Sequence, residues 1–160
     1  MDPQATFIEL RERMLGRAID FKRLFLRTLQ LYLNPDPGKE QGMEIWCEPS
    51  WQLVGQEGVV AGSGTIDFDP EAEDPDSWQR IVSQATDVLE GCLVEDVAVD
   101  ARTFELEIRL SDGWAIRTFV SDPTEPEQWL LRAAASDLWV RGTPAGLRLG
   151  PPSRRSFEDE

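Results

Sequence analysis

The residues predict an α+β protein: a long N-terminal helix, then an antiparallel sheet of roughly six to eight strands with one helix packed on it. Three observations lead there. Apolar residues recur at helical spacing between Phe7 and Leu33. From Gly42 onward, short apolar runs alternate with Gly and Pro, the pattern of a meander. One stretch, 77–90, interrupts that pattern with an amphipathic period.

The first helix is expected over about 5–33. Phe7, Leu10, Met14, Ala18, Phe21, Phe25 and Tyr32 fall at intervals of three, four and seven, so they share one stripe. Ile8, Leu15, Ile19, Leu26 and Leu33 form a second row, and Arg13, Arg17, Arg23 and Arg27 occupy much of the remainder. Pro35, Pro37 and Gly38 end it. At 1.5 Å per residue such a helix reaches on the order of 42 Å, longer than a small domain is wide. Its broad apolar face leaves two readings. Either it lies wholly across its own sheet, or Phe7, Met14, Phe21 and Phe25 form the seam of a homodimer.

Short strands are expected at 43–47, 51–54, 59–61 and 65–68. In the helix at 77–90, Trp78, Ile81, Val82, Ala85, Val88 and Leu89 make one face, Asp76 or Ser77 caps the start and Gly91 closes the end. The strongest hairpin comes next. Phe104, Leu106, Ile108 and Leu110 alternate strictly, and Ser111-Asp112-Gly113 turns the chain into Trp114. A three-residue loop ending on Gly113 sets Leu110 against Trp114, Ile108 against Ile116, Phe104 against Val120 and Glu107 against Arg117. A further hairpin is expected from 128–133 and 138–142, with Leu147 and Leu149 on a last edge strand. The organisation is then residues 1–34 as helix, 35–42 as linker, 43–149 as the sheet-plus-helix domain and 150–160 as a disordered tail.

Charge separates the two parts. Residues 1–40 carry seven basic and six acidic side chains, whereas 41–160 carry nine basic and 24 acidic, so the net −14 belongs to the body. Such a surface repels phosphate backbones and anionic membranes, and attracts a cationic protein from a distance. No apolar segment approaches a membrane span or a signal-peptide core, so the cytoplasm is the expected compartment.

The chain has no histidine, which removes the commonest general base and metal ligand. Cys47 and Cys92 are too far apart for a Cys-x-x-Cys site and sit among apolar neighbours. Carboxylates are abundant, and no pair stands out as acid and base. Neither an enzyme, a cofactor nor a metal site is expected.

The densest chemical feature is Asp67, Asp69, Glu71, Glu73, Asp74 and Asp76, six carboxylates in ten residues with no cation among them. A calcium loop of the EF-hand kind fails, because its sixth position is Ala72 and its twelfth is Trp78. The segment is either solvated or a contact for a basic partner. Gly62-Ser63-Gly64 is half of a phosphate-loop signature without a following helix, and reads as a strand turn. Trp46, Trp51, Trp114, Trp129 and Trp139 fall on expected strands, as core material or as interface anchors.

Trp51-Gln52-Leu53, Gly62-Ser63, Asp67, the helix 78–90 with Gly91, the hairpin after Phe104 and Gln128-Trp129-Leu130 come in an order that resembles a broad group of small, mostly uncharacterised bacterial α+β proteins. The resemblance implies a curved antiparallel sheet with a helix and no enzymatic activity. Some proteins of this type are immunity or antitoxin proteins. By that analogy the expected function is a non-enzymatic, acidic protein-binding module that inhibits a basic protein. The alternative is a structural or regulatory protein that self-associates through its N-terminal helix.

Overall fold

The chain begins as a helix, but the helix ends after 12 residues. The computed structural model describes residues 2–33, 42–65, 77–133 and 137–151. Helix α1 spans Pro3–Met14; the Asp2 carboxylate accepts the Ala5 N–H at 2.8 Å, and Pro3 sits in the first turn, where its missing N–H leaves no bond unmade. Leu15 is already extended, and Gly16 takes φ +81°, a conformation that side-chain-bearing residues resist.

The long helix expected over about 5–33 therefore does not form beyond Met14. In its place, β1 (Ile19–Phe25) and β2 (Thr28–Leu33) make an antiparallel hairpin, with Phe25 paired to Thr28 and Leu26 at φ +51° in its two-residue turn. The helical reading failed for a specific reason. Residues four apart share a face in a strand as well as in a helix, so Phe21/Phe25 and Leu29/Leu33 support either. The strand signal was the alternation Leu29, Leu31, Leu33 against Gln30 and Tyr32, and Leu26-Arg27 carries none of the usual turn residues.

The predicted α+β class gives way to a mostly β architecture. The further strands are β3 (Met43–Cys47), β4 (Trp51–Gly55), β5 (Gly58–Gly62), β6 (Val94–Val99), β7 (Leu106–Leu110), β8 (Ala115–Thr118), β9 (Trp129–Ala133), β10 (Leu138–Thr143) and β11 (Gly146–Leu149). They assemble into two antiparallel sheets. One has six strands in the order β1-β2-β3-β9-β10-β11, the other five in the order β5-β4-β8-β7-β6. The chain passes between the sheets twice, from β3 into β4 and from β8 into β9. The two crossings run side by side: Glu48 N–H bonds the Gln128 carbonyl at 2.8 Å, and Phe119 N–H bonds the Ser50 carbonyl at 2.9 Å.

Helix α2 (Ser77–Thr86) continues into a 3₁₀ turn, Asp87–Leu89, and Gly91 closes it at φ +88°. Its buried residues are Val82, Thr86 and Leu89, while Ile81 and Val88 stay exposed, so the face in use is rotated from the predicted one. The hairpin β7–β8 has the predicted register, with Ile108 opposite Ile116 and Glu107 opposite Arg117. Phe104 lies outside it, at φ +60°. Strand β6 escaped prediction because a bulge between Val94 and Asp96 breaks the alternation and leaves Val94 and Val97 buried three residues apart.

One core joins every layer. Leu10 and Met14 of α1, Leu29 and Leu31 of β2, Ile45 of β3, Leu53 of β4, Ile108 of β7 and Leu131 of β9 belong to a single buried cluster. Residues 3–33 thus contribute to this core through both α1 and the β1–β2 hairpin. α1 rests on β6, β9, β10 and β11, and α2 rests on β1 and β5. Two fully buried indoles are satisfied: Trp129 Nε1 donates to the Phe104 carbonyl and Trp51 Nε1 to the Arg27 carbonyl, both at 2.7 Å. Among the described residues no helix is long and apolar enough to cross a membrane.

Candidate functional site on the six-stranded sheet

The six-stranded sheet buries one face, and alternation sends the other set of side chains away from the core. Strand pairing arranges that second set in two rows. The first runs Phe21, Tyr32, Glu44, Arg132 and Trp139 across β1, β2, β3, β9 and β10. The second runs Arg23, Gln30, Trp46, Leu130, Arg141 and Arg148 out to β11. The rows hold four arginines and one glutamate, in a chain whose net charge is −14.

Between the rows lies an open groove of about 420 Å³. Gln30 and Trp46 form its floor, only 3% and 6% exposed. Trp139 stands edge-on to Trp46 with ring centroids 5.9 Å apart, and the Arg132 guanidinium lies 4.4 Å over the Trp139 ring. Arg132 Nη1 also meets Glu44 Oε2 at 3.3 Å, a pair spanning β3 and β9. At the other end Phe21 stacks on Tyr32 at 4.3 Å, and Arg23 lies 5.4 Å over Phe25.

Tyr32 is the polar hub of the groove. Its hydroxyl donates to Gln30 Oε1 at 3.0 Å, and the Arg23 guanidinium is near enough to act on it electrostatically. Burial first, then the Glu44 carboxylate, raises its pKa above the usual phenol value, while Arg23 and Arg132 pull it down. The phenol stays protonated at neutral pH and serves as a hydrogen-bonding group between two guanidiniums.

The predicted site residues separate. Phe7 and Met14 belong to the core: Met14 is fully buried and Phe7 meets the Trp129 ring edge-on at 5.9 Å. Phe21 and Phe25 lie on the outer face of β1, Phe21 45% exposed. The four no longer share a helix face, so the dimer seam built on that face has no basis. The acidic residues Asp67, Asp69, Glu71, Glu73, Asp74 and Asp76 lie outside the described residues. Sequence reasoning missed Arg23, Tyr32, Glu44 and Arg132. A signal existed, because β2, β3 and β9 each alternate apolar residues with Gln30 and Tyr32, Glu44 and Trp46, or Arg132. Which face each alternate residue occupies needed the strand pairing.

The other chemical groups have structural work. Cys47 is fully buried, and burial drives its thiol far above the ordinary range, so it packs as a neutral side chain. Ser63 Oγ accepts the Trp51 N–H at 3.0 Å, which makes Gly62-Ser63-Gly64 a strand-end turn. A second groove contains Asp100, Glu105 and Glu107. Asp100 caps the N–H groups of Arg102 and Thr103, Glu105 holds the Val120 N–H at 2.8 Å, and Glu107 pairs with Arg109 at 3.1 Å. Among the described residues no group of His, Cys, Asp and Glu is arranged to hold a metal ion. Comparison of the chain with protein-family models, with curated proteins and with solved structures finds no match in any of the three.

Proposed function

We propose that this protein is a non-enzymatic recognition module that binds another protein through the outer face of its six-stranded sheet. One observation carries the reading: Trp46, Trp139, Tyr32, Arg23 and Arg132 line one groove on that face. Trp, Tyr and Arg are the residues that dominate binding energy at protein interfaces, because they bring large rigid surfaces and multiple hydrogen-bond donors. The groove is open along the sheet, with the Phe21–Tyr32 stack extending it, which suits a surface of another protein better than a buried small molecule.

The chain's net charge of −14 favours the approach of a partner of opposite overall charge, as an inhibitor of the immunity type would have in the cytoplasm. Steering acts over the Debye length, about 8 Å at physiological salt, and sets the rate of encounter more than the identity of the seated group.

Capture from source-cell lysate tests the proposal, using immobilised wild-type chain, Trp139→Ala, and Arg102→Ala as a distant surface control. A protein recovered in near-equal amount by wild-type and R102A, eluted by salt and absent with a folded W139A, is the expected result. Nothing recovered, or equal recovery by all three, overturns it.

A further inference from the structure

The two arginines of the groove differ in what already holds them. Arg132 is committed, with its edge on Glu44 and its plane on Trp139. Arg23, on the edge strand β1, is exposed and makes no ion pair among the described residues. Its neighbours are the Phe25 ring and the Tyr32 hydroxyl, whose pKa it lowers. Counting Arg23, Arg132 and Glu44, the groove keeps one uncompensated positive charge on a chain of net −14.

A guest that satisfies Arg23 must be anionic and compact. A lysine would meet two guanidiniums. A nucleic-acid backbone would bring a run of phosphates against the acidic body. A carboxylate is planar and monoanionic, and it matches the fork of N–H donors on a guanidinium. The walls beside Arg23 are aromatic, so the groups flanking that carboxylate should be apolar.

We propose that Arg23, Tyr32 and Arg132 form a seat for a carboxylate side chain carried by an acidic segment of the protein partner, with an apolar neighbour of that side chain lying between Phe25 and Trp139. This inference rests on the reading of the sheet face as an interface, and adds the chemistry it selects. The acidic body draws the partner as a whole, and the groove chooses one local group of opposite sign to itself.

The probes are a nine-residue peptide alternating Glu with Leu and Phe, the same peptide with Gln for Glu, and the same with Lys for Glu. Binding is read on the full chain from the indole N–H resonances of Trp46 and Trp139, with the buried Trp51 and Trp129 as internal references. The Glu peptide should shift both groove indoles saturably, and the Gln peptide should bind at least about tenfold more weakly, the scale of one charge-assisted hydrogen bond. The Lys peptide should not bind. Arg23→Gln should lose about tenfold for the Glu peptide, and Arg23→Lys, which keeps the charge but not the fork of donors, should recover only part of it. Arg23 is exposed on an edge strand, so these variants leave the core alone.

No saturable shift with the Glu peptide, an equal response to the Gln or Lys peptide, or an unchanged affinity in R23Q overturns the carboxylate seat. Benzoate shifting the indoles as strongly as the peptide overturns the choice of a protein segment as the guest. If lysate capture succeeds and the Glu peptide fails, the interface stands and its carboxylate selectivity is refuted. If the peptide binds through Arg23 and capture fails, the seat stands and the wider reading of a stable protein partner is refuted.

Discussion

Adding one methyl group at Gly142 should measurably weaken the fold. Gly142 pairs with Trp129 across β9 and β10, and a Cβ built there would lie 2.5 Å from Trp129 Cζ2 and closer still to Cε2 and Nε1. Comfortable carbon–carbon contact is about 3.5–4.0 Å, so the indole would have to move by about 1 Å. It has little room: Trp129 is fully buried, its Nε1 holds the Phe104 carbonyl at 2.7 Å, and Phe7 packs edge-on against it. Over-packing a core costs about 1–3 kcal/mol and loss of the indole bond about 1 kcal/mol. The stiffer unfolded chain of the alanine variant returns about 0.4–1 kcal/mol. The expected net for Gly142→Ala is a loss of about 1–3.5 kcal/mol, or about 3–12 °C in Tm for a chain of this size. Urea unfolding followed by tryptophan fluorescence measures it, with Gly64→Ala as a control because among the described residues no atom lies within 4 Å of the Cβ position there. The same change in a Trp129→Leu background should cost much less, since the ring atoms that clash are gone. A G142A loss below about 0.5 kcal/mol, or an equal loss in both backgrounds, would refute the close approach of Trp129 to β10.

Two further expectations concern charges. The Lys22 side chain is only 6% exposed, and its ammonium bonds the Ser83 carbonyl at 2.5 Å, Ser83 Oγ at 2.8 Å and Asp87 at 3.0 Å, tying α2 and the turn after it to β1. Lys22→Met keeps the stem and removes the charge, so it should destabilise by about 1–3 kcal/mol and speed amide exchange across 77–89 more than in β3 or β9. Uniform exchange over the whole molecule would show that Lys22 is no local tie. Asp96 bonds Arg11 at 2.5 Å, and that hydrogen bond, first among the causes, lowers its pKa. A folded pKa below the unfolded value of about 3.9 means the stabilisation is complete above that pH and disappears as pH falls through the folded value. Asp96→Asn should therefore be less stable than wild-type at pH 7, with the difference shrinking below about pH 4. A difference equal at both pH values would remove the Arg11–Asp96 pair as its cause.

Much of the architecture was written locally. The limits of β3, the hairpin at 128–142 with its edge strand β11, and the register of β7 against β8 come from alternation, from turn residues and from the Glu107–Arg117 charge pair. These signals work because each depends on residues adjacent in sequence or across a tight turn. The stretch 17–33 was ambiguous for the opposite reason. Its spacing of four residues fits both periods, and its turn at Leu26-Arg27 lacks Gly, Asn, Asp and Pro.

What selected the hairpin there was tertiary. Leu33, Leu31 and Leu29 pair with Met43, Ile45 and Cys47, and the N–H of Ile19 bonds the Cys92 carbonyl at 2.8 Å, partners a helix could not have met. The groove shows the same division. Composition and local pattern were enough for the acidic body, the lack of histidine chemistry and most strands from Met43 on. Long-range packing alone put Arg23 and Tyr32 beside Arg132 and Trp139, which lie about a hundred residues further along the chain. The cause is the order of the sheet. β2 pairs with β3 and β3 with β9, and no local spacing encodes which distant strands will adjoin.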